Sequence, residues 1–324
     1  MTCPLCGGDA ERRTQAPSPD APEGPAYTLF RCPACAVAFV HPQPGPEAQS
    51  YPAGYYGRRG SLPRWGGRLL SGSKCRRIER LKAGGRLLDF GCGRGEFLDA
   101  MRRRGWEVRG VEASEGARSL LPPELRGAVH PDPGPLSAER FDVITLWHVL
   151  EHLPRPAETL RSLRDLLGEG GILYVAVPNF SSWESAAAGA AWFHLDLPRH
   201  LFHFEPEGLV RLLEREGFEP IRVDHSSWAY NVFGLCQTWL NRITGTRNVL
   251  YRRLKGQDGG AWSLALGISL LLAPFLAGFA FPACLVLGLK GRAGTMEIAL
   301  RRGGGPFPRA GAGRDVEGGP ALRA

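Results

Sequence analysis

The sequence predicts an α/β protein built on a doubly wound, mainly parallel sheet. From Gly85 onward, short apolar runs alternate with helical stretches, beginning with a buried strand at 86–90 and a helix at 96–104. Strands that alternate with helices pair in parallel, and their helices cover both faces of the sheet. The residues before 64 and after 226 depart from this alternation, which indicates that further units flank the sheet.

The elements after the first helix follow in a regular order. Helical periodicity and apolar runs alternate as far as residue 223, and no internal repeat is evident. Gly168 and Pro178 act as stop signals for the helix and the strand that precede them. The elements predicted from these patterns are strands at 108–111, 141–147, 172–177 and 221–223 and helices at 157–167 and 207–216, after a helix that ends at Leu81.

Composition shifts divide the chain into six predicted segments. The tail is rich in Gly, Pro and Arg without apolar periodicity, so we expect it to be disordered. The segments are an N-terminal module at 1–40, a linker or lid at 41–63, the core at 64–226, an amphipathic and apolar helical insertion at 227–292, the last core strand at 293–302 and the tail at 303–324.

Length and composition are those of a globular, cytoplasmic protein. The chain has 324 residues, of which 43% are hydrophobic and 22% are charged, a balance that excludes a mainly disordered chain. Eight cysteines are too few for a disulfide scaffold of this length, and residues 1–6 lack the pattern of a secretory signal. The formal net charge of +8 favours an acidic partner, either an anionic membrane or a nucleic acid.

A glycine-rich turn lies where the first strand of the core meets a helix. The segment 89–95 reads Asp-Phe-Gly-Cys-Gly-Arg-Gly, and such glycines let the backbone and the helix N-terminus approach a ligand. Glu112 ends the next strand, where its carboxylate can accept hydrogen bonds from ribose hydroxyls. Position 96 is Glu rather than the third glycine of a dinucleotide site, which disfavours NAD. A turn that only reverses the chain is the alternative.

These residues resemble motif I of the class I S-adenosylmethionine-dependent methyltransferases, and the resemblance extends from about Gly85 to Ser226. The segment 141–144 resembles the fourth strand of that family, 148–153 the loop after it, and 166–171 the turn before strand five. The resemblance implies a Rossmann-like, seven-stranded sheet whose last strand is 295–301.

The resemblance also implies a cofactor site for S-adenosylmethionine. Asp89 and the glycines would line the methionine part, Glu112 the ribose and Asp132 the adenine. In methyl transfer from a sulfonium, the protein contributes mainly by positioning the acceptor and the methyl group. The cofactor-binding residues expected on this basis are Asp89, Gly91, Cys92, Gly93, Gly95, Glu112, Asp132 and His148.

Three histidines follow the fifth core strand within ten residues, at positions 194, 200 and 203. This stretch resembles the substrate-facing insertion of small-molecule methyltransferases. Sugar C-methyltransferases with an N-terminal zinc module carry an acidic residue before a similar histidine, where this chain has Arg199. We predict His200 first, and His203 next, as catalytic base or substrate ligand. The alternative is that both only fix the loop by hydrogen bonds, as we expect of His152.

Two CxxC pairs predict a structural zinc site in a small zinc ribbon. Four thiolates in two short pairs are a tetrahedral ligand set, and the metal would supply folding energy that so small a module lacks. Redox use of the pairs is the disfavoured alternative. Between residues 3 and 35, three arginines oppose four acidic residues, a net charge of −1 that argues against a nucleic-acid clamp. The predicted metal ligands are Cys3, Cys6, Cys32 and Cys35.

A run of 31 residues without Asp, Glu, Lys or Arg lies between Asp258 and Lys290. One membrane span would separate the last strand from its sheet, and two spans need about 40 residues. Because basic residues flank the run on both sides, we expect a proline-bent helical hairpin that dips into one leaflet, with the amphipathic stretch 228–243 beside it. The alternative is a buried helical pair packed on the protein or at a dimer interface.

Together these features predict a cytoplasmic methyltransferase, peripheral at the inner face of the membrane, that acts on a small-molecule or lipid-linked acceptor. A sugar or a quinol-like hydroxyl or carbon would receive the methyl group. The alternatives are a zinc-ribbon RNA methyltransferase and a non-catalytic zinc- and cofactor-binding scaffold. Retention of Asp89, the glycines and Glu112 argues against the scaffold. The sequence indicates no oligomeric state.

Overall fold

The computed structural model describes residues 1–18, 21–45, 64–257 and 260–303. The predicted lid beyond residue 45 and the predicted tail beyond residue 303 lie outside the described residues. The described strands are β1 (Glu11–Ser18), β2 (Ala21–Cys32), β3 (Val37–His41), β4 (Arg86–Phe90), β5 (Glu107–Val111), β6 (Val129–His130), β7 (Phe141–Trp147), β8 (Leu167–Pro178), β9 (Phe202–Phe204), β10 (Phe218–Asp224) and β11 (Thr295–Arg302).

Seven of these strands form the main sheet in the order β10-β11-β8-β7-β4-β5-β6. The pairs β8–β7, β7–β4, β4–β5 and β5–β6 are parallel, whereas β11 runs antiparallel to both β8 and β10. The predicted α/β fold with a Rossmann-like, seven-stranded sheet is therefore confirmed, and its last strand comes from the C-terminal side of the apolar insertion. The carboxyl ends of β4, β5 and β7 lie at one edge of the sheet, which is where a ligand binds in such folds.

Helices cover both faces of this sheet. Side chains along β8 alternate between two cores, with Leu173 and Val175 in one and Ile172 and Tyr174 in the other, as the period of a strand requires. The described helices are α1 (Arg64–Glu79), α2 (Glu96–Arg102), α3 (Glu115–Arg118), α4 (Pro156–Leu166), α5 (Trp183–Ala188), α6 (Pro206–Arg215), α7 (Trp228–Thr244), α8 (Val249–Lys255) and α9 (Leu264–Leu289).

A different pair of helices covers each face of the main sheet, and α1 belongs to one of these pairs. Helices α1 and α2 bury Cys75, Ile78 and Leu98 against one face, while α4 and α6 bury Leu163 and Leu209 against the other. Proline at the first position of α4 and of α6 suits a helix start, because that N–H has no partner within the helix. Helix α1 therefore passes over the sheet on the same face as the helix that follows the glycine turn.

A second sheet has the order β1-β2-β3-β9. Its strand β9 comes from the stretch after β8, so the N-terminal strands and the predicted substrate-facing insertion share one sheet. Val37 and Phe39 of β3 belong to the same apolar core as Phe202, Phe204 and the strands of the main sheet. The predicted segment boundaries stay predictions.

The apolar segment forms one continuous helix, α9, of 26 residues, with Pro274 and Pro282 inside it. The prediction of a hairpin bent within 261–289 is therefore wrong, and the helical partner of α9 is α7. A proline removes one hydrogen bond and bends a helix, but reversing the chain requires a turn, and the Leu- and Ala-rich neighbours of both prolines favour helix. By length and composition alone, α9 is long enough and apolar enough to cross a membrane.

Candidate active site

The glycine turn after β4 is held in a conformation that its sequence makes possible. Gly91, Gly93 and Gly95 all have positive φ, at 79°, 56° and 75°. A Cβ at Gly91 would lie 2.4 Å from a methyl carbon of Val149, so this position also requires glycine for space. The Gly91 N–H donates to the Val111 carbonyl oxygen at 2.7 Å, which joins the turn to the end of β5.

Asp89 and Glu112 lie at the ends of these two neighbouring strands. Burial raises the pKa of Asp89 to about 6, and its Oδ1 accepts a 2.7 Å hydrogen bond from the Thr145 hydroxyl. Glu112 Oε2 accepts from the Gly93 N–H and its Oε1 from the Ser114 N–H, both at 2.8 Å. One carboxylate thus fixes both the glycine turn and the loop after β5, and its remaining lone pairs can accept from hydroxyl groups.

The other predicted cofactor residues occupy different settings. Cys92 is buried, and burial raises the pKa of its thiol, so it packs as a neutral group. Asp132 is exposed after β6 and accepts a 2.8 Å hydrogen bond from the Gly134 N–H. The parallel pairing of β5 with β6 brings Asp132 to the same sheet edge as Glu112. The structure therefore gathers the predicted cofactor residues along one edge.

His148 follows β7 with a positive φ of 57°, which is uncommon for a residue other than glycine. Its ring lies 4.8 Å from the Tyr230 ring and parallel to the His194 ring at 6.3 Å between centroids. Burial lowers the pKa of His148 to about 4, so the imidazole is neutral at physiological pH. The rings of His148 and Tyr230 therefore form two aromatic walls beside the end of β7.

The predicted base, His200, is buried in a cluster of histidines. Its Nδ1 lies 2.8 Å from the His194 carbonyl oxygen, and its ring centroid is 4.6 Å from that of His152. The ring centroid of His203 is 5.9 Å from that of His200. Burial lowers the pKa of His200 well below its usual value and that of His203 to about 4, so both rings are neutral. A neutral imidazole can accept a proton, and the catalytic role of the two residues stays a prediction.

A carboxylate lies beside His200, and sequence reasoning missed it. Glu151 is 1% exposed, and neither of its side-chain oxygens has a hydrogen-bond partner among the described residues. Burial raises the pKa of Glu151 to about 7. Donor atoms of Glu151, His152 and His200 all lie within 4.8 Å of one another, an arrangement that could hold a divalent cation. The Glu151-His152 pair can be read from the sequence, but no sequence pattern indicates that it lies beside His200 of the insertion.

Lys74 of α1 is a second residue that sequence reasoning missed. Its Nζ lies 4.7 Å from the ring centroid of Trp147 and 5.8 Å from that of Tyr230. Its charge acts against burial to lower the pKa of Asp89. Within the described part of the chain Lys74 makes no ion pair or hydrogen bond, and its ammonium group lies over aromatic rings in a cavity that Glu297 also lines. The residues that line the cavity beside it are Leu70, Ser73, Lys74, Arg77, Trp147, Ser227, Trp228, Tyr230 and Glu297.

The four predicted metal ligands converge at the base of the N-terminal sheet. The Sγ atoms of Cys3 and Cys35 are 3.7 Å apart and those of Cys6 and Cys32 are 3.5 Å apart, and all four lie within 4.8 Å of one another. Zn–S bonds of about 2.3 Å in a tetrahedron place the sulfurs about 3.8 Å apart, so the spacing fits zinc. The hydrogen bond from the Cys35 thiol lowers the pKa of Cys3 to about 5.

Comparisons with known proteins agree with this geometry. A family model described as "Methyltransferase domain" matches residues 66–223. The ubiquinone biosynthesis O-methyltransferase of Ruegeria pomeroyi is 34% identical over 173 residues, covering 47% of this chain and 66% of that protein. The protein of the same name from Azoarcus sp. is 29% identical over 171 residues, covering 46% and 70%. The chain thus spans about two thirds of each of these relatives.

Solved structures of methyltransferases are also similar to the chain. A SAM-dependent methyltransferase from Archaeoglobus fulgidus aligns with a TM-score of 0.46 and 21% identity, over 72% of this chain and 93% of that one. Coclaurine N-methyltransferase aligns with a TM-score of 0.44 and 14% identity, over 76% and 74%. The family match at 66–223 covers the glycine turn, Asp89, Glu112 and the histidine cluster. Together with the relatives, it shows that this part of the chain is an S-adenosylmethionine-dependent methyltransferase domain.

Proposed function

We propose that the chain transfers a methyl group from S-adenosylmethionine to the hydroxyl oxygen of a lipid-linked, quinol-like acceptor. The observation that carries the proposal is the group of aromatic side chains around the small cavity at the end of β7, which continues into α7 of the apolar helical pair α7–α9. Trp147, Trp228 and Tyr230 line this cavity, and Trp228 and Tyr230 belong to the first turn of α7. The names of the relatives, ubiquinone biosynthesis O-methyltransferases, support a phenolic acceptor over a sugar.

On the cofactor side the chain supplies binding and orientation. Glu112 would hold the ribose, and Asp89 with the glycine turn would hold the methionine part. S-adenosylmethionine, when bound, supplies a methyl group that its sulfonium has already activated for attack. The protein therefore has to hold the acceptor oxygen in line with that methyl group and keep water out.

On the acceptor side a hydroxyl must lose its proton as the new bond forms. The neutral rings of His200 and His203 can take it, with His200 the first candidate, and the carboxyl group of Glu151 lies beside them. The aromatic walls formed by His148 and Tyr230 suit a flat acceptor ring.

The proposal includes a structural zinc ion held by Cys3, Cys6, Cys32 and Cys35. The spacing of the four sulfur atoms supports it. We expect about one zinc per chain by elemental analysis of the purified protein. Zinc content that is unchanged when Cys6 and Cys32 are both replaced by serine would contradict this part of the proposal.

The outer face of α9 is proposed to lie in one leaflet of an anionic membrane. Leu271, Phe275, Phe279 and Leu289 are 68%, 74%, 68% and 92% exposed, an apolar surface that water does not favour. Basic residues lie in the last turn of α8 and directly after α9, and the ring of exposed Trp262 lies under the guanidinium of Arg253. Trp and basic residues are both enriched at membrane interfaces. The opposite face, with Ala280 and Cys284, packs on α7.

Flotation with anionic vesicles tests the membrane surface. The wild-type chain should float with the vesicles, and a variant with Phe275→Ser, Phe279→Ser and Leu271→Ser should stay at the bottom of the gradient. A variant with Leu120→Ser, just after α3, serves as the control. Equal flotation of wild type and the triple variant would remove α9 as the binding surface.

Metabolite analysis tests the acceptor. A strain that lacks the enzyme should accumulate a lipid-soluble phenol or quinol that is one CH₂ unit lighter than the wild-type product. If the strain instead lacks a methylated sugar, the acceptor is a sugar and the proposed quinol-like acceptor is wrong. Loss of a methylated nucleoside from RNA would favour the zinc-ribbon RNA methyltransferase.

A further inference from the structure

The four-cysteine module, residues 1–41 as far as the structure describes them, shares a sheet with the predicted acceptor-side histidines. Strand β3 pairs antiparallel with β9, and in this register Ala38 lies opposite His203. The Val40 N–H donates a 3.0 Å hydrogen bond to the carbonyl oxygen of Leu201, the residue after His200. The backbone at 201–204 is therefore held in place by a strand of the module.

The turn that carries Cys35 is packed tightly against the helix that follows β9. Gly208 in the first turn of α6 lies so close that a Cβ there would be 2.2 Å from the Ala36 carbonyl oxygen. Arg211 of the same helix donates a 3.0 Å hydrogen bond to the Ala34 carbonyl oxygen. Because backbone meets backbone at Gly208, the turn and the helix cannot move independently without losing this contact.

Strand β9 is also attached to the main sheet. The Phe180 N–H, just after β8, donates a 2.9 Å hydrogen bond to the Phe204 carbonyl oxygen. An ion pair joins β2 to the end of β9, with Arg31 Nη2 2.8 Å from Glu205 Oε2. The segment therefore lies between the module and the catalytic sheet and takes its position from both.

We propose that the four-cysteine module is the template that positions the His200–His203 segment, so that loading its metal site orders the acceptor side and leaves the cofactor side unchanged. Only the metal part of this inference rests on the proposed zinc site. A bound ion would join the CxxC turn that precedes β1 to the CxxC turn between β2 and β3, and so hold β3 in place for β9. The cofactor side lies on β4 and β5, which pair with none of the strands of the module.

Hydrogen exchange of the full chain, loaded with zinc and stripped by a chelator, tests the metal part. Amides at 201–204 should exchange about tenfold faster in the stripped protein. Amides of β4 and β5 should keep their rates, and the Kd of S-adenosylhomocysteine should be unchanged. Unchanged exchange at 201–204 would overturn the proposal, as would a rise that spreads equally to β4 and β5.

Gly208→Ala tests the coupling without removing metal. The new Cβ would displace the Cys35–Ala36 turn from α6, so exchange at 201–204 should rise while zinc content and S-adenosylhomocysteine binding persist. Gly127→Ala is the matched control, because a Cβ there meets nothing within 4 Å. Wild-type exchange at 201–204 in Gly208→Ala would overturn the coupling.

A milder variant keeps the test open if Gly208→Ala does not fold. Arg31→Met removes only the ion pair with Glu205 and should give the same pattern of exchange with a smaller rise; wild-type exchange in this variant as well would overturn the coupling. A chain that binds no zinc at all would refute the zinc site, and the two variants would still decide whether the module positions the histidines.

Discussion

At the scale of residues, neighbouring parallel strands assemble the cofactor side of the site, and a contact between distant segments assembles the acceptor side. Asp89 and Glu112 end two apolar runs, and the ends of parallel strands meet at one sheet edge, so their proximity was predictable. Glu151 and His200 are far apart in the chain, and they meet only because β9 and the loop after β7 pack together, with the Leu201 N–H donating to the Glu151 carbonyl oxygen at 2.8 Å. No local pattern encodes that contact.

Glu112→Gln tests the cofactor side. The amide keeps the shape of the side chain but loses the charge that strengthens its hydrogen bonds to the Gly93 and Ser114 N–H groups. We expect S-adenosylhomocysteine to bind more weakly by roughly 2 kcal/mol, about thirtyfold in Kd. Calorimetry measures this directly. Glu107→Gln, at the exposed start of the same strand, is the control and should bind as wild type does.

Lys74→Met tests the role of the positive charge beside Trp147. If the ammonium group pairs with the amino-acid carboxylate of the cofactor, the variant should bind S-adenosylhomocysteine about tenfold more weakly. It should bind 5′-methylthioadenosine, which lacks that carboxylate, as wild type does. Lys82→Met, which removes a surface ion pair with Asp142, is the control. An equal loss for both ligands would show that Lys74 acts on the fold rather than on the carboxylate.

At the scale of elements, the sequence predicted most strands and helices of the core, because their apolar periodicity is clear. It failed at α9, since an apolar run with two prolines is compatible with either a bent pair or one helix. The choice depends on α7, whose Leu235 and Cys236 pack against Ala280 and Cys284 of α9. Packing on α7, which the local sequence does not contain, therefore adds to the helix propensity of the Leu- and Ala-rich residues around the two prolines.

The junction of α5 with α7 gives a pH-dependent prediction. Glu184 of α5 is 3% exposed, its Oε2 accepts a 3.0 Å hydrogen bond from Thr238, and burial raises its pKa from 4.5 to about 8. The folded chain keeps this proton where the unfolded chain releases it. Its contribution to stability is therefore full below pH 4.5 and is lost as the pH rises through about 8.

Glu184→Gln removes this titration. The variant should have wild-type stability near pH 5, and near pH 9 its free energy of unfolding should exceed that of wild type by about 3 kcal/mol. Urea unfolding at the two pH values measures the difference. Glu158→Gln, exposed on α4, should shift neither value. A stabilisation of Glu184→Gln that is equal at both pH values would contradict the assigned pKa.

At the scale of the whole molecule, a methyltransferase sheet is joined to an N-terminal sheet through β9 and to an apolar helical pair inserted before β11. The seven-stranded order was predictable from the family resemblance, which also placed the last strand after the insertion. The sharing of a sheet between 37–39 and 202–204 was not, because such long-range pairing leaves no periodic signal in either segment. Under the proposed function, the cofactor, the acceptor and the membrane would each contact a different one of these three connected parts.

Transfer of a labelled methyl group to an isoprenoid quinol precursor tests the proposed reaction itself. The purified chain is incubated with methyl-labelled S-adenosylmethionine, vesicles and a quinol precursor with an isoprenoid tail, and the label is then partitioned between organic solvent, water and RNA. The account predicts label in the organic phase that depends on the quinol and is lost in Glu112→Gln. Label that appears only in the water phase or in RNA, or no transfer at all, would contradict it.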